Sequence, residues 1–334
     1  MPSLKSRRHV CGLQEYLLQC SVCQAVSYCG EEHQAADRSA HRERCKDIVE
    51  KRFKLEQEEN VLRSMPEDFA FPQPVFEKGA GCFYGICETR EYMRARCDYA
   101  NSLAATETIE GNSLALDHSM DMIRLNRSDN LGMRSLIPTL LMRLGREQEC
   151  YDFLKWWAKT SQDEHYDWGD TDLPHLDIKN ADVFESVDLF CKKFFDLGGT
   201  FVIMLLKTKI LLDLRALQRS PQRTDTLCTT LVQSRKDKLQ ARGLQRLAGK
   251  LEAQIRQLYK RLKNSYINIW FTFLYPGPSL TGKRCEYTPG EYSEVQIALQ
   301  DFYQVWTESP GSMNVIRHLM AQDPDFPNTA YELF

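Results

Sequence analysis

The chain has 334 residues, a mass of 38.8 kDa and a net charge of −3, with 43% hydrophobic and 27% charged residues. It holds no apolar run of the ~18 residues needed to cross a bilayer, so we expect no membrane segment. Residues 1–54 carry a net charge of +3 and the remainder −6. That basic excess is too weak to favour nucleic acid as a partner.

Cysteine and histidine repeat at ligand spacing near the start of the chain, as Cys20-x2-Cys23, Cys29-x3-His33 and His41-x3-Cys45, with Cys11 upstream. Zinc takes four nitrogen or sulfur ligands in a tetrahedron, and two ligands separated by two or three residues reach one ion from a single turn. The repeated spacing therefore predicts a zinc-folded module. The remaining cysteines are dispersed singly, which fits a reducing, intracellular compartment better than a disulfide framework.

The segment from Cys11 to Cys45 resembles the MYND finger, a cross-braced module that holds two zinc ions. The resemblance rests on "SYC" ending at Cys29, "EEHQ" around His33 and "HRERC" ending at Cys45. In that family the second and fourth ligand pairs share one ion, and the first and third pairs share the other. The resemblance thus implies one ion held by Cys20, Cys23, His41 and Cys45, and another held by Cys29 and His33 with the pair near Cys11.

The first ligand pair departs from the family pattern. The pattern places a cysteine where this chain has Arg8, and an arginine side chain stays protonated and cannot bind a metal. His9 is adjacent and is one candidate for the fourth ligand, and water is another. We therefore expect two zinc ions, with the site around Cys11 either completed by His9 or left incomplete.

Beyond the finger, assigned to residues 8–45, the pattern predicts a mostly α fold. A charged connecting helix is expected at 46–64, a Pro/Gly linker at 65–83 and an all-α body at 84–320, because apolar residues recur there at helical spacing and strand signals are scarce. Leu141–Trp157 resembles half of a tetratricopeptide hairpin, so we expect antiparallel helical hairpins, TPR-like in part. The acidic stretch near 161–186 predicts a long loop.

The MYND resemblance implies protein recognition. Fingers of this family bind short proline-containing peptides in a groove beside the zinc. Gln34 stands at the family's glutamine position, whereas Arg38 replaces the tryptophan that commonly lines the groove. The whole chain is similar to fungal MYND-finger proteins with a helical C-terminal region. We expect a zinc-binding interaction adaptor in the cytoplasm, the nucleus or both.

No catalytic motif is supported, so we expect a protein that is not an enzyme. The methyltransferases that carry a MYND finger require an Asn-His pair and a β-rich domain, and this sequence has no such pair. Residues 277–283 nearly match a P-loop, but Arg284 stands where the magnesium-binding Ser or Thr belongs. Two alternatives stay open: a helical enzyme subunit that uses the finger only structurally, and a transcription-associated regulator.

Overall fold

The computed structural model describes residues 18–192, 196–222, 227–266, 268–283, 288 and 290–324. The structure is 67% helical, with 14 α-helices and one two-stranded sheet within these ranges, which confirms the mostly α prediction. The chain divides into two compact units. The N-terminal unit comprises the residues up to 144 together with 165–177, and the C-terminal unit comprises 145–164 and the residues from 178 onward.

The N-terminal unit begins with a short antiparallel ribbon and a long helix. Strand β1 (Leu18–Gln19) pairs with β2 (Ser27–Tyr28), with Leu18 opposite Tyr28. The helices that follow are α1 (Glu31–Ser64), α2 (Val75–Lys78), α3 (Arg90–Ala104), α4 (Ile109–Leu125) and α5 (Met133–Arg143), with 3-10 turns at Phe83–Gly85 and Cys87–Thr89. Helices α3 and α4 pack as a hairpin, and so do α4 and α5.

Helix α1 is 34 residues long and forms the axis of this unit. Its buried positions repeat every seven residues, at His41, Ile48, Leu55 and Leu62. A seven-residue repeat keeps one row of side chains facing a partner helix over many turns, and that partner here is α3. The opposite face is charged and solvated. The helix ends at Ser64 because Met65 precedes a proline and adopts an extended conformation.

The stretch predicted as a Pro/Gly linker, residues 65–83, is a structured connection. The Asp68 carboxylate accepts hydrogen bonds from the backbone N–H groups of Ala70 and Phe71, at 2.7 and 2.8 Å. The Gln73 amide donates to the carbonyls of Leu62 and Met65 at the end of α1. These bonds fold the chain back towards the end of α1, and Phe71 is buried in this connection.

Part of the predicted acidic loop, residues 165–177, belongs to the N-terminal unit and is held there by Arg127. The guanidinium donates to three backbone carbonyls of this segment: Asp170 at 2.6 Å, Thr171 at 2.9 Å and Leu173 at 3.1 Å. A planar guanidinium presents five N–H donors in a fixed geometry, so one side chain satisfies several carbonyls at once. The segment is therefore clasped by a single side chain.

Replacing Arg127 with alanine is expected to release residues 165–177. Hydrogen bonds to a charged donor contribute about 1.5–3 kcal/mol each when buried, and these are partly exposed, so we expect a total loss of about 1–3 kcal/mol in the free energy of unfolding. Chymotrypsin should cut the segment at least about tenfold faster. Arg124→Ala is the control, because Arg124 is exposed and pairs with Asp121 on its own helix. Equal cleavage of wild type and Arg127→Ala would contradict the clasp.

The C-terminal unit is built around helix α7 (Leu197–Arg219), in which 17 of 23 residues are buried. Helix α10 (Leu244–Ser265) packs along it, together with α6 (Glu147–Thr160), α13 (Tyr292–Thr307) and α14 (Ser312–Ala321). The shorter elements are a 3-10 turn at Asp188–Cys191 and the helices α8 (Thr230–Ser234), α9 (Lys236–Ala241), α11 (Ile269–Leu274) and α12 (Pro278–Thr281). No helix in the described ranges combines the length and apolar character that crossing a bilayer requires.

Two lysines of α7 are buried and hydrogen-bonded. Lys209 meets the fully buried Glu147 carboxylate at 3.2 Å, and Thr230 donates to the other oxygen of Glu147 at 2.8 Å. Lys207 donates to the carbonyl of Val183, and burial lowers the pKa of its amine to about 7. Buried charges are tolerated only when paired and hydrogen-bonded, so these contacts fix which faces of α6 and α7 meet.

Candidate metal centre

The first half of the site is the tight turn between the two strands. The Cys20 N–H donates to the Val26 carbonyl and the Gln24 N–H donates to the Cys20 carbonyl, both at 2.9 Å. Gln24 adopts a left-handed conformation with φ of 60°, which closes the turn. This geometry brings the Cys20 and Cys23 thiols to the same side of the ribbon. A Cys-x2-Cys spacing on a tight turn thus supplies two adjacent ligands.

The second half lies on helix α1. His41 and Cys45 are four residues apart, and side chains at i and i+4 stand one above the other on the same face of a helix. Tyr28 of β2 packs edge-on against the His41 ring, with 6.2 Å between centroids, and donates a hydrogen bond to Asp37 of α1 at 2.8 Å. The ribbon is therefore attached to the helix beside the two ligands.

The four side chains converge. Cys23 Sγ lies 3.4 Å from His41 Nε2, Cys20 Sγ lies 3.9 Å from Cys45 Sγ, and all four ligand atoms are within 4.8 Å of one another. Tetrahedral zinc with bonds of about 2.3 Å to sulfur and 2.0 Å to nitrogen requires separations of about 3.8 Å between two sulfurs and about 3.5 Å between sulfur and nitrogen. The measured distances fit one zinc ion.

Two of the three thiols, those of Cys23 and Cys45, are poorly placed to ionise without a cation, whereas at Cys20 burial is outweighed by backbone hydrogen bonds, which lower the pKa. Burial raises the pKa of Cys23 to about 12, and burial also raises the pKa of Cys45. Zinc binds the thiolate, so a bound ion must displace these protons and supply the charge that stabilises three neighbouring sulfurs. Metal affinity at this centre should consequently fall as the pH falls.

Comparison with known proteins identifies the module. The family model described as the MYND finger matches residues 9–45. The chain carries a MYND finger. The match covers the zinc module and leaves the helical body unassigned. No curated protein and no solved structure matches the chain.

The other predicted ligands of the MYND finger are only partly described. Cys29 Sγ and His33 Nδ1 lie 2.6 Å apart at the start of α1, so this pair is brought together. Cys11 and His9, the remaining candidates for that ion, lie outside the described residues. The group of Cys20, Cys23, His41 and Cys45 is the one metal-capable cluster found among the described residues. The acidic residues described near 161–186 form no such cluster.

The MYND finger belongs to the N-terminal unit and is hydrogen-bonded to other parts of it. Thr108 donates to the carbonyl of the buried Ala25, while its oxygen also caps α4 by accepting from the Gly111 N–H at 3.0 Å. Arg52 of α1 donates to the Val22 carbonyl at 3.0 Å. Sequence patterns did not reveal these contacts, because they join residues far apart in the chain. The finger is thus bonded to the α3–α4 hairpin and to its own helix.

A groove with a volume of about 860 Å3 runs beside the cluster along α1, and we call it the finger groove. Its walls include the ligands Cys20, His41 and Cys45. Both positions singled out from the family pattern, Gln34 and Arg38, line it. The other lining residues are Val22, Tyr28, Glu31, Ala35, Arg42, Lys46, Val49 and Glu50.

Proposed function

We propose that this chain is a zinc-dependent protein-interaction adaptor whose MYND finger binds an extended, proline-containing peptide in the finger groove. MYND fingers are generally protein-interaction modules, which supports the adaptor role. The observation that carries the proposal is the position of the groove: metal ligands form part of its wall. Binding of the metal would therefore shape the surface that a partner touches.

The groove offers what an extended peptide needs. Val22 is half exposed and Val49 half-buried, and together they supply apolar contact. The Gln34 amide both donates and accepts hydrogen bonds, so it can pair with the backbone of an extended chain. Proline-containing segments are already extended and lose little conformational entropy on docking. Because a bound metal would hold the groove wall rigid, the protein would also lose little conformational entropy when the peptide binds.

A second role is favoured by the contacts of Thr108 and Arg52. Because these residues bond to the turn that carries Cys20 and Cys23, the metal also stabilises the N-terminal unit around it. A finger of this kind stabilises the N-terminal unit and also provides a docking surface. We propose no catalytic step for the chain, and its location in the cytoplasm or nucleus stays a prediction.

Substitution of Val22 by aspartate is expected to weaken peptide binding at least about tenfold, since it places a charge in the apolar part of the groove. Val61→Asp is a matched control, because Val61 is 52% exposed, Val22 is 51% exposed, and Val61 lies on α1 outside the groove. Binding would be measured by fluorescence anisotropy of labelled proline peptides on the zinc-loaded chain, with zinc content checked for each variant. Failure of every peptide to bind, or equal losses in both variants, would contradict the proposal.

A further inference from the structure

The finger groove carries two arginines that have no partner among the described residues. Arg38 and Arg42 both line it, and in the ranges that the structure describes neither guanidinium makes an ion pair or a hydrogen bond. The third cation of the groove, Lys46, is paired with Glu50 at 3.6 Å. Most basic residues further along α1 are likewise paired with an acid four residues away. In the described ranges Arg38, Arg42 and Arg44 depart from that pattern, and of these three only Arg38 and Arg42 line the groove.

The two groove arginines are close enough for their charges to repel each other. Arg38 and Arg42 are four residues apart, which places their side chains about 5–6 Å from each other on one face of the helix. Like charges at this spacing destabilise a helix by a few tenths of a kcal/mol. A carboxylate lying between the two guanidinium groups would remove the repulsion and accept charge-assisted hydrogen bonds from both.

We propose that Arg38 and Arg42 together bind an acidic side chain of the partner peptide. The inference rests on the proposed function and specifies the partner: an extended segment with Asp or Glu next to the stretch that packs on Val22 and Val49. The charge of the groove agrees with this. With Lys46 and Glu50 neutralising each other, the two arginines and the Glu31 carboxylate remain, so the groove lining is net positive.

The same charges argue against a nucleic acid in the groove. Phosphate backbones are bound by surfaces that contact several phosphates, and each contact needs a cation. Here Lys46 is already paired with Glu50, which leaves two arginines beside the Glu31 carboxylate, and that carboxylate would repel a polyanion. A single carboxylate carried by a mostly neutral peptide can accept hydrogen bonds from both arginines without bringing several negative charges close to Glu31.

The test uses the zinc-loaded full chain and pairs of fluorescein-labelled proline peptides that differ only by Asp against Asn at one position, scanned along the peptide. At one position we expect the Asp peptide to bind about fivefold to tenfold more tightly at about 50 mM salt, with the difference shrinking at about 300 mM. The double variant Arg38→Glu and Arg42→Glu should lose this preference and favour a Lys peptide. Arg44→Glu, on the same helix outside the groove, should keep it.

The outcomes separate this inference from the proposed function. Tight binding that is equal for Asp and Asn at every position would overturn the acidic preference and leave peptide recognition standing. A preference that survives the double variant would overturn the assignment to Arg38 and Arg42. Absence of binding by any peptide would overturn both proposals. A preference lost in the double variant and kept in Arg44→Glu supports the inference.

Discussion

Cys23→Ala is expected to unfold the MYND finger. The Cys23 side chain is fully buried, and its sulfur lies 3.4 Å from the His41 ring nitrogen, so no other group can take its place in the cluster. Zinc contributes about 10–16 kcal/mol to the folding of small fingers, and we expect loss of one ligand to lower zinc affinity by more than about 100-fold. The substituted chain should retain less zinc, and residues 18–45 should become sensitive to proteolysis.

The control for this substitution is Cys87→Ala. Cys87 is an exposed free thiol in the same unit and belongs to no metal-capable cluster. The Cys87→Ala substitution should leave the zinc content and the rate of proteolysis unchanged. Zinc content in Cys23→Ala equal to that of the control would show that the four converging side chains do not hold the ion.

The second large effect is expected from Glu147→Gln in the C-terminal unit. Glu147 is fully buried and is the ion-pair partner of Lys209, whose side chain is 11% exposed. Removing one partner of a buried pair leaves an uncompensated charge and typically costs about 3–5 kcal/mol. For a unit of this size such a loss lowers the melting temperature by about 10 °C. The measurement is thermal unfolding of the zinc-loaded chain.

Glu149→Gln is the matched control. Glu149 lies on the same helix, but its side chain is 55% exposed and pairs with Arg146 at the surface. Exposed pairs contribute about 0–1 kcal/mol, so the control should melt close to the wild type. Equal melting temperatures for all three proteins would mean that the Glu147–Lys209 pair does not stabilise the unit.

Local spacing was enough to find the metal centre. The ligand pairs Cys20/Cys23 and His41/Cys45 each sit on one turn, and a turn brings residues three or four apart together whatever the rest of the chain does. The resemblance to the MYND finger supplied the pairing between turns, which spacing alone leaves open. Helical periodicity likewise identified the mostly α body, because the apolar spacing that indicates a helix lies within the helical segment itself.

Contacts between distant segments could not be predicted in the same way. The bond from Thr108 to Ala25 spans 83 positions, and the clasp of Arg127 on residues 170–173 spans more than 40. Neither leaves a periodic signal. The sequence therefore predicts a finger at 8–45 and a long loop near 161–186, but it leaves open whether the finger packs on the body. In the structure, residues 165–177 belong to the N-terminal unit and the residues on either side of them to the other.

The central claim is that one zinc ion bound by Cys20, Cys23, His41 and Cys45 organises the start of the chain. Hydrogen–deuterium exchange of the zinc-loaded and chelator-treated chain, with elemental analysis of both, tests it most directly. We predict at least one tightly held zinc per chain, and amides of residues 20–45 that lose protection when it is removed while those of α7 keep theirs. Identical exchange in both samples, with no metal found in either, would contradict the claim.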